Sequence, residues 1–157
     1  MLLEERIGQR LLAYGRTVST AESCTGGLIA SRITDVSGSS AYMLGGIVAY
    51  SNAIKQALLR VRERTLLDHG AVSEETAAEM AQGASQLLNA DYALSVTGIA
   101  GPGGGTAEKP VGLTFIGLAG PDDLLVVERY VWSFDRTGNK NASVDAAFNL
   151  LLQHLPA

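Results

Sequence analysis

Apolar positions recur along this chain with two periods. Leu3, Ile7, Leu11 and Leu12 share one helical face between charged residues, which predicts a first helix stopping near Gly15. "TVSTAES" (17–23) reads as a short strand, and "GGLIASRITDV" (26–36) as a helix that Thr25 can cap and Gly38 follows. "YMLGGIVAYS" (42–51) is apolar and partly β-branched, the pattern of a buried strand. Asn52 can cap a helix through "AIKQALLRV", and another short helix begins near Glu63 or Thr65. The clearest helical period spans 73–90, with Ser73 at its start and Asn89 near its end.

Strand "DYALSVTGI", a glycine-rich loop, strand "PVGLTFIGLA", a "GPDD" turn and strand "LLVVERYVW" come next, before a final helix over 141–155. Strands alternating with helices, then a meander, predict an α/β fold: a three-layer α/β/α sandwich with a mixed central sheet. The "GPDD" turn makes its two flanking strands antiparallel.

Composition narrows the function classes. The 157 residues, 46% hydrophobic, suit a single domain over 1–157 with one full core. A net charge of −4 with scattered basic residues leaves no electrostatic footprint for nucleic acid. One cysteine excludes a disulfide framework and a cysteine-rich metal site. No apolar run is long enough to span a bilayer and the N-terminus lacks a signal-peptide core, so the expectation is a soluble, cytoplasmic domain without membrane contact. Strand "LLVVERYVW" and the first helix offer apolar surface for a homo-oligomer, most simply a dimer.

Three loops at strand ends have the composition of a site: "ESCTGG", "YSNAIK" and "TGIAGPGGGTAEKP". Ser23 ends a strand just before Gly26 and Gly27, where unblocked amides can hold an oxyanion. Ser23 or Thr25 serving only as a helix cap remains the plainer alternative, and no G-x-S-x-G elbow is present. His69 and His154 are poorly placed as bases. Lys55 falls in a helical first turn, where the dipole opposes its charge and burial would push it toward a neutral amine; a surface lysine is the bland alternative. Tyr50 can relay a proton or fill core. Cys24 is a rival nucleophile, with Glu22 and Lys55 completing the residue types of a nitrilase-like set, or simply a buried thiol. Thr97, Gly98, Gly101, Gly103, Gly104 and Gly105 match neither a phosphate-binding lysine loop nor a dinucleotide fingerprint, but form an amide-rich concavity suited to an anion. Gly38, Ser39 and Ser40 of "SGSSA" can add donors to the same ligand.

In this order, "TAESCTGG", "SGSSA", "GGIVAYSN--K", "HGAVSEET" and "TGIAGPGGG----KPVG" resemble the C-terminal domain of the competence/damage-inducible protein CinA, a family that includes stand-alone nicotinamide-nucleotide amidases. The resemblance covers about residues 5 to 155 and leaves out the extra N-terminal domain of longer members. It implies hydrolysis of nicotinamide mononucleotide to nicotinate mononucleotide and ammonia in pyridine nucleotide recycling, without metal or cofactor. It further implies Ser23 as nucleophile, Lys55 as base and Tyr50 as proton-handling partner, with the amides around Cys24 to Gly27 as oxyanion donors. A catalytically weak nucleotide-binding module is the alternative. Where the family shows glycine before aspartate-arginine and a basic pair after it, this chain has Phe134 before Asp135 and Arg136, then Lys140 and Asn141. Arg136 is the basic residue expected to reach the substrate.

Overall fold

The computed structural model describes residues 1–157. Five strands form one sheet in the order β2-β1-β3-β4-β5: β1 Val18–Glu22, β2 Met43–Val48, β3 Tyr92–Gly98, β4 Leu113–Gly120 and β5 Leu124–Val131. β1 pairs in parallel with β2 and β3, whereas β4 runs antiparallel to both β3 and β5. The sheet is therefore mixed, as the alternating and meandering halves of the sequence predict. Central strands β1 and β3 are buried almost throughout, while edge strands β2 and β5 alternate.

Helices cover both faces. α3 (Asn52–Leu59), α4 (Glu63–His69) and α5 (Glu74–Leu88) lie on one; α1 (Leu3–Ala13), α2 (Leu28–Thr34) and α6 (Arg136–His154) on the other. The larger apolar cluster joins Ile7, Leu11, Ile29 and Ile33 to Phe148, Leu151 and the sheet, and a smaller one packs Met80, Ala81 and Ala84 of α5 against Ala21, Ala93 and Leu59. Gly117 permits close approach there, because a Cβ at that position would stand 2.8 Å from the Ala77 carbonyl oxygen of α5.

Helix starts follow short polar side chains, not always the expected ones. Ser51, rather than Asn52, caps α3 by accepting from Ile54 N at 3.2 Å. Ser73 caps α5 as expected, and Asn89 closes it in the left-handed region at φ 51°. α6 starts five residues before the expected 141, because the Asp135 carboxylate accepts from Gly138 N at 2.8 Å. The glycine in that first turn masks the cap in the sequence.

This topology positions the site. The C-terminal ends of β1, β2 and β3 lie at one end of the sheet, with Glu22 in register with both Val48 and Val96. Leu113 pairs with Val131 at that same end, so the start of α6 arrives there too.

Candidate active site

Ser23 leaves β1 with its N–H donating to the Val96 carbonyl at 2.9 Å, and its side chain opens into a cleft of about 300 Å³. The cleft is bounded by Lys55, Tyr50 and Asn52 on one side and by the glycine loop from Gly98 to Gly104 on the other. Lys55, 1% exposed, extends from α3 so that Nζ lies 3.0 Å from Ser23 Oγ, 2.9 Å from the Ala49 carbonyl and 3.2 Å from the Tyr50 carbonyl. No carboxylate is among its partners. Burial lowers its pKa from the ordinary lysine value, opposed in part by the neighbouring Cys24 thiol group.

Three neutral partners suit an uncharged amine. As placed, Nζ donates to Ser23 Oγ and to both carbonyls; once deprotonated, the amine can keep the two carbonyl bonds and turn its lone pair to the serine hydroxyl. An amine so placed can take a proton from a hydroxyl.

Cys24 lines the same cleft, but burial pushes its thiol up to about 12; its own backbone amide lowers it in part, Glu22 adds to the rise, and the charges of Lys55 and Lys140 oppose it. At neutral pH it is a thiol, so it lacks the reactive form a nucleophile needs. The nitrilase-like set is not assembled either. Glu22 turns away beneath α2, accepting from Thr25 Oγ1 at 2.7 Å, Ile29 N at 2.8 Å and Ala30 N at 3.1 Å. Thr25 therefore supports the turn rather than capping α2 itself. Gly26 and Gly27 take φ of 62° and 102°, the left-handed region a non-glycine residue avoids, and carry the chain into α2 behind the cleft.

The third loop supplies Gly98, Gly101, Gly103 and Gly104 to the cleft wall. Gly105 lies off it, against Val111; Thr97 lines the cleft, with its hydroxyl donating to the Ala71 carbonyl at 2.7 Å. Arg136 enters from α6: Nη1 donates to the Gly101 carbonyl at 2.8 Å and Nη2 to the Tyr50 hydroxyl at 3.3 Å. Tyr50 thus touches Lys55 through its carbonyl, while its hydroxyl points to the arginine and not to Ser23. Gly38, Ser39 and Ser40 are not brought to the cleft. They precede β2 and so sit at the opposite end of the parallel pair, because the donor-rich string "SGSSA" enters a strand instead of leaving one. Ala71 and Val72, half-buried in the turn between α4 and α5, complete the wall; they were not singled out as site residues, although the motif "HGAVSEET" contains them.

The sequence model of the CinA C-terminal domain matches residues 2–155. A putative competence-damage inducible protein of Halothermothrix orenii is 52% identical over 98% of this chain, which spans 37% of that protein. The chain thus spans little more than a third of such relatives. It covers 93% of the nicotinamide-nucleotide amidohydrolase PncC of Escherichia coli K12, at 48% identity over 98% of the chain. Among solved structures, a competence/damage inducible protein from Agrobacterium tumefaciens superposes with a TM-score of 0.95 at 43% identity, covering 96% of this chain and 92% of that one. No helix is long and apolar enough to cross a membrane. A family match over almost the whole chain, and a solved structure of the same architecture, agree with the loops gathered around Ser23: the chain belongs to the CinA C-terminal domain family.

Proposed function

We propose that this chain is an amidohydrolase acting on the carboxamide of nicotinamide mononucleotide, giving nicotinate mononucleotide and ammonia in pyridine nucleotide recycling. The observation that carries the reading is the buried, carboxylate-free Lys55 amine 3.0 Å from Ser23 Oγ. The near-full-length likeness to an enzyme named for this substrate supports the choice of amide.

In the reaction, Ser23 Oγ attacks the amide carbon while Lys55 Nζ takes its proton. Of the amides in the turn that donate to no backbone acceptor, Cys24 N–H belongs to a residue lining the cleft, and it is the donor we assign to the oxyanion. Lys55 returns the proton to the departing nitrogen, ammonia leaves, and water opens the acyl-enzyme with Lys55 again as base. Arg136 and the glycine loop stand at the far side of the cleft, where they would take the phosphate. Binding there would draw Arg136 off the Tyr50 hydroxyl and free that group for proton handling. The exposed apolar residues Leu12 of α1 and Val131 of β5 are the surfaces we assign to a second copy of the chain.

The test is ammonia release from nicotinamide mononucleotide by the purified protein. Ser23→Ala should abolish it, and Cys24→Ala should retain it. Nucleotide binding without any ammonia release would leave the chain as a binding module, and loss of activity only in Cys24→Ala would replace the nucleophile.

A further inference from the structure

Glu22 is an ionisable group next to the nucleophile that the reaction above does not use. Its carboxylate is 1% exposed, and both oxygens are occupied: Oε1 by Thr25 Oγ1 and Ile29 N, Oε2 by Ala30 N. These bonds span the whole turn from β1 into α2. The first amides of α2 are therefore already satisfied and cannot receive a substrate anion.

The backbone of Glu22 is engaged as well. Ala49 N donates to its carbonyl at 2.8 Å, and the Ala49 carbonyl is one of the two that hold Lys55 Nζ. One residue thus links the serine turn, through its side chain, to the lysine perch, through its main chain. Within the turn, Gly26 N bonds the Ser23 carbonyl at 3.0 Å and Leu28 N the Thr25 carbonyl at 3.2 Å. That leaves the Cys24, Thr25 and Gly27 amides without acceptors. An open turn with three unpaired N–H groups needs something to hold it open, and the carboxylate beneath it does so.

We propose that Glu22 is a positioning residue for acyl transfer: its carboxylate fixes turn 23–27 so that Ser23 Oγ stays on Lys55 Nζ and the Cys24 amide stays on the cleft wall. This rests on the reading of Ser23 as nucleophile. Because Arg136 and the glycine loop hold the substrate from other elements, the effect falls on the chemical step and not on ground-state binding.

Glu22→Gln keeps the size of the side chain but offers one acceptor oxygen, and turns an N–H pair toward donors. In it, kcat for ammonia release should fall about tenfold or more while KM changes by less than about threefold. Calorimetric titration with nicotinate mononucleotide counts the molecules with an intact binding cleft. A purely structural role would lower that stoichiometry and leave kcat per competent molecule unchanged, which would overturn the proposal. Thr25→Val removes a single bond to the carboxylate and should lower kcat in the same direction by less; if Glu22→Gln does not fold, this variant decides, an unchanged kcat counting against the proposal. Ser23→Ala run alongside separates the two ideas. Activity retained there ends the nucleophile reading, whereas an inactive Ser23→Ala beside a fully active Glu22→Gln sinks the positioning role alone.

Discussion

Lys55 shows why a residue's chemistry depends on its surroundings more than its type. Its placement in a helical first turn was readable in the sequence; its burial and its three neutral partners were not, because they depend on β2 and β1 meeting in parallel. Burial lowers the lysine below 10.5, so kcat/KM should rise with pH through that lowered value as the amine becomes neutral. The same shift affects stability with a defined sign. Between the lowered folded value and the unfolded one the unfolded chain binds more protons, so stability should increase as pH rises from the folded value toward 10.5. A pH-rate profile and denaturant unfolding at several pH values check the two limbs. Lys55→Met, of similar length but without a base, should lower kcat by about 10²–10⁴-fold. A variant that kept both rate and pH profile would remove lysine from the mechanism. Tyr50 marks the limit of residue-level reading: its type pointed to proton transfer, yet its hydroxyl is held by an arginine 86 positions away in the chain.

At the scale of elements, the glycine loop owes its shape to α6. Arg136 holds the Gly101 carbonyl, and the buried Asn139 donates from Nδ2 to the Ala100 carbonyl at 2.9 Å while its Oδ1 accepts from Phe134 N at 3.0 Å. On the other side, Lys109 Nζ donates to the His69 carbonyl and ties the loop to the end of α4. The five glycines suggested an amide-rich concavity, but the clamp was hidden because α6 begins before its apolar period does. Asn139→Ala leaves the Ala100 carbonyl and the Phe134 amide unpaired. It should cost about 1–3 kcal/mol of stability and raise KM several-fold more than it lowers kcat. Thermal unfolding beside steady-state kinetics checks both, and an unchanged KM would mean that the loop keeps its shape without α6. Strand and helix types were legible from period and β-branching, but the expected buried strand over 42–51 is the edge strand β2, with alternating exposure. The caps of α3 and α6 and the position of "SGSSA" were not legible, because a polar string reads the same on entering or leaving a strand.

For the molecule as a whole, the site and the scaffold are held by separate charges. On the face away from α5, Arg32 of α2 reaches Glu4 of α1 at 2.9 Å and Asp145 of α6 at 2.7 Å, and its guanidinium stands 4.9 Å from the Phe148 ring centroid. One side chain thereby ties three helices over the larger core. The Glu4 carboxyl is raised by burial, but the Arg32 hydrogen bonds, a backbone amide and the Arg32 charge outweigh this and hold it below 4.5. A lowered carboxyl pKa contributes stability that is present above the unfolded value and disappears as pH falls through the folded one. Arg32→Met keeps the contact with Phe148 but leaves Glu4 buried without its partner. It should lose about 2 kcal/mol at neutral pH, a fall in Tm of about 4–8 °C for a domain of this size. The gap in Tm between wild type and variant should then narrow as pH drops below 4.5, where the wild type loses the same interaction. Because Arg32 reaches none of the cleft residues, kcat and KM per folded molecule should change by less than about twofold. A gap that stayed constant with pH would show that Arg32 acts by packing on Phe148 alone, and a matching loss of kcat would show that the helix tie and the serine turn are one cooperative unit.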